Sequence, residues 1–183
     1  MPKRRLKMDS TTLFDISYGV YVVSSKKGKK YNGQIANAVI QVTSDPPKIL
    51  VCLSKNNLTH KYIQQSKLFS VSILEKETPF KFIGIFGFRS GRDLDKFKEI
   101  SHKTTDRGTP YVTENTLGYL ECELTETLDV GTHTIFVGKL VEAEKLKQGE
   151  PLTYAIYHEV KKGKTPKNAP TYVKPKKTET KEK

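Results

Sequence analysis

Only two cysteines occur in the 183 residues, and they stand seventy positions apart. Neither Cys52 nor Cys122 belongs to a C-x-x-C pair, so the sequence shows no zinc knuckle and no rubredoxin-type iron centre. Cys52 lies in "ILVCL" and Cys122 in "YLECEL". Both read as small buried residues of a cytoplasmic protein. Glu121 and Glu123 flank Cys122 on one strand face and read as facing solvent. No apolar run is long enough to cross a bilayer. The basic opening "MPKRRLKM" leads into no apolar stretch, so no secretory signal is expected. His60, His102 and His158 lack metal-ligand spacing, and no metal is expected. The dinucleotide fingerprint G-x-G-x-x-G and the phosphate loop with G-K-S/T are both missing. A bound nucleotide would need another device for its phosphate. No internal repeat is visible.

Charge is abundant but unevenly placed. The formal net charge is +12, of which residues 1–8 carry +4 and residues 161–183 carry +7. The stretch between is nearly neutral, at +1. A basic, low-hydrophobicity end such as "KPKKTETKEK" reads as a solvated tail. Residues 1–10 and 174–183 are therefore expected to be disordered. A nucleic-acid-binding module using these ends is the weakest of the functional readings, because their contacts with RNA or anionic surfaces would be nonspecific.

Period-two patterns dominate the remainder. Strands are expected at 19–25, 34–44, 48–54, 68–74, 118–130, 133–146 and 153–160, with Gly131 at the bend between the two longest. "DPP" reads as a turn that bars further pairing. "NLTHKYIQQSK" has helical spacing, with Leu58, Tyr62 and Ile63 on one side. Pro79 suits the start of a short helix in "PFKFIGIFGF", and "DLDKF" reads as another helical turn. Many short strands joined by hairpins argue for an antiparallel barrel or sandwich.

Four constellations could carry chemistry. In "LSKNNLTHKYI", residues Ser54, Lys55, Asn56, Asn57, Thr59 and His60 crowd a helix start, where free N–H groups suit an anion. The plainer reading makes Asn57 or Thr59 an N-cap. In "FGFRSGRD", Ser90 and Gly91 can expose backbone N–H groups, and Arg89 and Arg92 can grip a phosphate. Ser90 and Asp93 equally have the spacing of a capping box, which would leave a surface helix start with two solvated arginines. In "DVGTHTIFVG", His133 follows a glycine at a strand start and reads as either a structural hydrogen-bonder or a catalyst. "YHEVKKGKTPKNAPTY" is either a linker or an extended arm.

Together these motifs, with "YGVYVVSS" and "YNGQIANAVIQVTSDPP", resemble the flavin reductase-like, FMN-binding split-barrel family. The likeness runs from about Leu13 to Tyr172 and is nearest to flavoredoxins and the flavoprotein part of high-molecular-weight rubredoxins. It implies a mainly β, antiparallel split barrel over residues 11–160 with a few short helices. It also implies an extended arm over 161–173 packing on a homodimer, with FMN near the interface. Carried onto this sequence, Gln34, Ile35, Ala36 and Asn37 would contact the ring edge. Ser54, Lys55, Asn57, Thr59 and His60 would lie near the ribityl chain and phosphate, and Ser90, Gly91, Arg92 and Asp93 would complete the anion pocket. His133 matches the histidine of G-x-H and would be catalytic. Phe86 and Phe88 would pack the loop onto the barrel.

The implied activity passes electrons from NADH or NADPH through FMN to flavin, ferric iron or a carrier such as rubredoxin. A flavoredoxin-like carrier without its own nicotinamide turnover is the alternative. The high-molecular-weight rubredoxins continue into a domain with paired C-x-x-C motifs, whereas this chain ends in lysines. Transfer to a separate, acidic carrier docked by the basic ends is therefore expected.

Overall fold

Strands β1 (Tyr21–Lys27) and β2 (Lys30–Ala36) form a hairpin whose turn holds Gly28 at φ +56. That left-handed conformation suits glycine. Strands β3 (Val39–Ser44) and β4 (Pro47–Ser54) form a second hairpin. Helix α1 (Leu58–Ser66) follows and ends at Lys67, φ 61, a left-handed cap that turns the chain directly into β5 (Leu68–Leu74). Helix α2 (Phe80–Phe88), the short hairpin β6 (His102–Thr104) and β7 (Pro110–Val112), the long pair β8 (Thr116–Asp129) and β9 (His133–Lys145), and helix α3 (Tyr154–Glu159) complete the chain. This computed structural model describes residues 9–98, 100–159 and 162–172. Residues 1–8 and 173–183, and with them most of the expected tails, lie outside the described residues. Among the described residues, no helix is long and apolar enough to cross a membrane.

The main sheet has seven strands in the order β2-β1-β5-β8-β9-β4-β3, and every pairing is antiparallel. Strands β2 and β3 occupy its two edges, yet only Asn37 and Ala38 separate them in sequence. So short a link forces the two edges together and curls the sheet into a barrel. The sequence pattern over 34–44 implies one long strand; the structure divides it into two. At the break Val39 N–H donates to Asn37 O at 3.0 Å, and Cys52 N–H donates to Ala38 O at 3.0 Å. The chain thus leaves β1 and joins β4 across two residues.

The barrel interior holds Val23, Val51, Leu53, Ile63, Phe69, Val71, Cys122 and Phe136, with Ala36 of β2 among them. A second cluster lies outside the barrel, where Phe82, Ile83 and Phe86 of α2 pack on Val20, Val22 and Leu74, with Phe97 and Tyr157. Neighbouring Val22 and Val23 point into different clusters because strand side chains alternate.

Several expectations are corrected. Residues 154–159 form helix α3, not a strand: Thr153 Oγ1 accepts from Ile156 N–H at 3.2 Å, a cap that favours helix. "DLDKF" forms turns without a helix, held in part by Asp95 Oδ1 accepting from Phe97 N–H at 3.1 Å. Pro47 does not end pairing; it opens β4 opposite Ser44, after a cis Asp45–Pro46 bond. Glu121 is buried, not solvent-facing, because the β6–β7 hairpin covers it and Thr105 Oγ1 donates to its Oε1 at 2.8 Å. That hairpin is fastened to β5 by Ser70 Oγ donating to Pro110 O at 2.6 Å, and by Val112 N–H donating to Ser72 Oγ at 3.2 Å.

Candidate functional site

A cavity of about 440 Å³ opens where the barrel splits, between β2, β4, the start of α1 and the end of α2. One wall is the end of β2 with Gln34, Ile35, Ala36 and Asn37. Gln34 Oε1 is buried there without a hydrogen-bond partner. An orphan acceptor of this kind is costly unless a ligand or water serves it. Cys52 and Ser54 of β4 form the adjoining wall. Cys52 is half-buried against the cavity, which corrects its reading as a core residue, while Cys122 is fully buried as expected.

The start of α1 faces the same space through Asn57, Leu58 and Thr59. Asn57 holds the N-cap position, yet its side chain makes no cap hydrogen bond. The leading N–H groups of α1 are therefore not served by it, as an anion site requires. Buried Asn32 Nδ2 donates to Thr59 Oγ1 at 2.7 Å and fixes that side chain.

The loop after α2 closes this end with Arg89, Ser90, Gly91 and Arg92. No helix follows Ser90, so the capping-box reading is lost; Ser90 Oγ accepts from Arg92 N–H at 3.2 Å in a turn. The Arg92 guanidinium donates to Asn56 O at 3.1 Å, which ties the loop to the α1 start. Gly91 is required by space: a Cβ would stand 1.8 Å from Asn32 Oδ1. Phe86 is buried in the core as expected, but Phe88 is half exposed and lines the cavity.

Lys96 escaped the sequence reading. It is only 4% exposed, lines the cavity, and donates from Nζ to Gly33 O at 2.9 Å and to Phe86 O at 3.3 Å. Among the described residues no carboxylate forms an ion pair with it. Burial lowers its ammonium pKa to about 8. A buried cation without a counter-ion is unfavourable unless an anion arrives. Sequence pattern hid it, because a lysine four residues past an arginine in a polar loop looks solvated.

Four expected site residues do not line the cavity. Lys55 pairs with Asp129 at 2.6 Å. His60 is buried behind the wall, its Nε2 bonded to Thr134 Oγ1 at 2.8 Å and its ring 5.0 Å from that of Phe136. Burial, then Lys55 and Lys61, lower its pKa. Asp93 faces a separate surface cleft. His133 pairs in register with Ser54, but its ring is engaged by Thr132 and Asn168 and does not line the cavity. Thr132 Oγ1 donates to His133 Nδ1 at 2.8 Å, and His133 Nε2 donates to Asn168 O at 3.1 Å. Asn168 belongs to the segment 166–170, which covers the remaining side of the cavity.

Residues 13–161 match the family model described as flavin reductase like domain. The chain belongs to this family. The chain is 52% identical over 165 residues to the high molecular weight rubredoxin of Moorella thermoacetica, covering 90% of this chain and 72% of that protein. It is 49% identical over 165 residues to a ferric-chelate reductase (NAD(P)H) of Archaeoglobus fulgidus, covering 90% of this chain and 98% of that one. Among solved structures, the NADH:FAD oxidoreductase of Streptomyces globisporus superposes with a TM-score of 0.71 at 26% identity, covering 84% of this chain and 90% of that chain. The protein is thus an oxidoreductase of the flavin reductase type on a mainly antiparallel β fold.

Proposed function

We propose that this flavin reductase domain binds FMN in the 440 Å³ cavity and passes electrons from NADH or NADPH to an acceptor. The observation that carries the reading is the buried, unpaired Lys96 ammonium on a wall that also holds the orphan Gln34 oxygen. A flavin fits both. Its ring presents an N–H donor to an acceptor such as Gln34 Oε1, and its phosphate and reduced ring supply negative charge. When bound, it would supply hydride acceptance from the nicotinamide and onward delivery of electrons.

The chain's own residues bind and orient. Gln34, Ile35, Ala36 and Asn37 would follow the ring edge. Ser54, Asn57 and Thr59 would serve the ribityl chain, and Ser90, Gly91, Arg92 and the α1 N–H groups the phosphate. Lys96 holds a proton near developing negative charge, and such a fixed cation favours the reduced form. His60 would brace α1 from behind through its bond to Thr134. His133 would act at the cavity mouth through the Asn168 carbonyl it holds.

The relatives support two acceptor classes. Similarity to a ferric-chelate reductase supports ferric iron, and similarity to a rubredoxin-named protein supports a rubredoxin-like carrier. Exposed Ile40 and Val42 on edge strand β3, with exposed Leu128 and Val130, offer an apolar face for a second copy, in keeping with a homodimer. Free, unpaired Cys52 and Cys122 fit a reducing cytoplasm. The basic ends, residues 1–8 and 174–183, are proposed to aid docking of an acidic carrier.

The test is direct. Purified protein should be yellow, or take up FMN, and bleach with NADH or NADPH. Protein that stays colourless with FMN present sinks the reading; colour without nicotinamide bleaching leaves the carrier alternative.

A further inference from the structure

The segment 163–172 is pinned twice. At its base, Tyr154 Oη bonds both Thr165 Oγ1 at 2.7 Å and Thr171 Oγ1 at 2.8 Å, so one phenol gathers both ends of the intervening loop. Tyr157 Oη donates to Lys164 O at 2.9 Å, and Gly163 lies so close to the Tyr157 ring that a Cβ would stand 2.2 Å from it. At its tip, Asn168 Nδ2 donates to Asn57 Oδ1 at 2.9 Å while Asn168 O accepts from His133 Nε2. The base rests on part-buried tyrosines, but the tip bonds join exposed groups. Exposed hydrogen bonds compete with water and hold least firmly.

The tip also closes the site. Pro166, Lys167, Asn168, Ala169 and Pro170 form one side of the cavity. With that side in place the space is about 440 Å³, low in the range of roughly 300–1,000 Å³ for pockets holding one small molecule. It suits one flavin and leaves little room for a second ring. Electron transfer brings a second reactant to the flavin, and the 166–170 wall bounds the space through which it approaches.

We propose that the loop 166–170 is a gate over the flavin site, latched by the Asn168 side chain to Asn57 and by the Asn168 carbonyl to His133, and that Asn168 is the positioning residue that sets which second ligand reaches the flavin. The proposal rests on the flavin reading. The paired base keeps the loop attached while the tip swings. The closed gate admits small acceptors most readily and slows bulky ones, so its opening sets how fast a ferric chelate or free flavin is reduced.

Asn168→Ala in the full chain tests it, with Asn168→Gln as the conservative comparison. In protein without flavin, amide hydrogen exchange at Ala169 and Tyr172, whose N–H groups bond Pro166 O and Ala169 O, should rise at least tenfold in Asn168→Ala and leave β1, β5 and β8 unchanged. With flavin bound, its dissociation rate should rise about tenfold. The ratio of kcat/KM for a bulky ferric chelate over a small oxidant should also rise several-fold, and Asn168→Gln should restore part of each effect. Wild-type dissociation rate and acceptor ratio in Asn168→Ala overturn the gate, whatever the exchange shows. Wild-type protein that binds no flavin overturns the flavin reading and the gate with it, so the two failures are told apart.

Discussion

Lys96 Nζ lies 2.9 Å from Gly33 O, and that bond joins the loop after α2 to strand β2 across the head of the cavity. A second bond, to Phe86 O at 3.3 Å, leaves one ammonium proton without a protein partner. Lys96→Met removes the charge while keeping most of the packing. Hydrogen bonds to charged groups contribute about 1.5–3 kcal/mol, so FMN affinity should fall about tenfold to a hundredfold. Fluorescence titration measures it, and unchanged affinity would remove Lys96 from the site.

The same lysine gives a pH signature with opposite signs in stability and binding. Its folded pKa of about 8 lies below the ordinary 10.5, so between these values the unfolded chain binds more protons. Flavin-free stability should therefore rise as pH increases from 8 towards 10.5, by at most about 3 kcal/mol. FMN affinity should fall over the same range, because the anion loses its cation. Urea melts and titrations at matched pH check both, and Lys96→Met should flatten both profiles.

Gly91→Ala should disable the phosphate end without unfolding the barrel. The new methyl would displace Asn32, whose amide holds Thr59. FMN binding is expected to weaken about tenfold or more, with the β-sheet circular dichroism unchanged. Affinity like that of the wild type would show that the Asn32–Thr59 pair is dispensable.

Arg92→Ala should weaken FMN by about tenfold and reduce the salt dependence of binding, since an exposed guanidinium is screened by ions. If Arg92 only braces Asn56 O, affinity will fall with its salt dependence intact.

His133→Ala separates catalysis from latch. Both ring nitrogens are engaged, one by Thr132 and one by Asn168. The expected result is near-normal flavin affinity and a rate change of the same kind as in Asn168→Ala, with a further effect in the double variant, because Asn168→Ala removes the Asn57 bond but keeps the carbonyl that His133 holds. A slowing of hydride transfer unique to His133→Ala, seen by stopped flow, would return the histidine to a catalytic place.

Much of this was legible beforehand. The alternation of "LFSVSIL" gave β5 its bounds, and "NLTHKYIQQSK" gave α1, because each pattern has one period and one buried face. Ordered motifs marked both the loop 89–92 and the end of β2, which line one cavity. Residues 34–44 resisted, because two strands at opposite sheet edges share one continuous β-rich sequence. Residues 154–159 resisted too, because six residues fit either period and a single threonine cap decided the outcome.

Local sequence thus determined most of the long strands, the two main helices, the near-neutral middle of the chain and the family. Tertiary structure alone decided which groups lost water. Packing of α2 and its following loop against β2 buried Lys96 beside the orphan Gln34 Oε1, the β6–β7 hairpin buried Glu121, and residues 166–170 folded over the cavity mouth. Burial is a property of neighbours distant in sequence, and no local pattern of lysine, glutamine or glutamate encodes it.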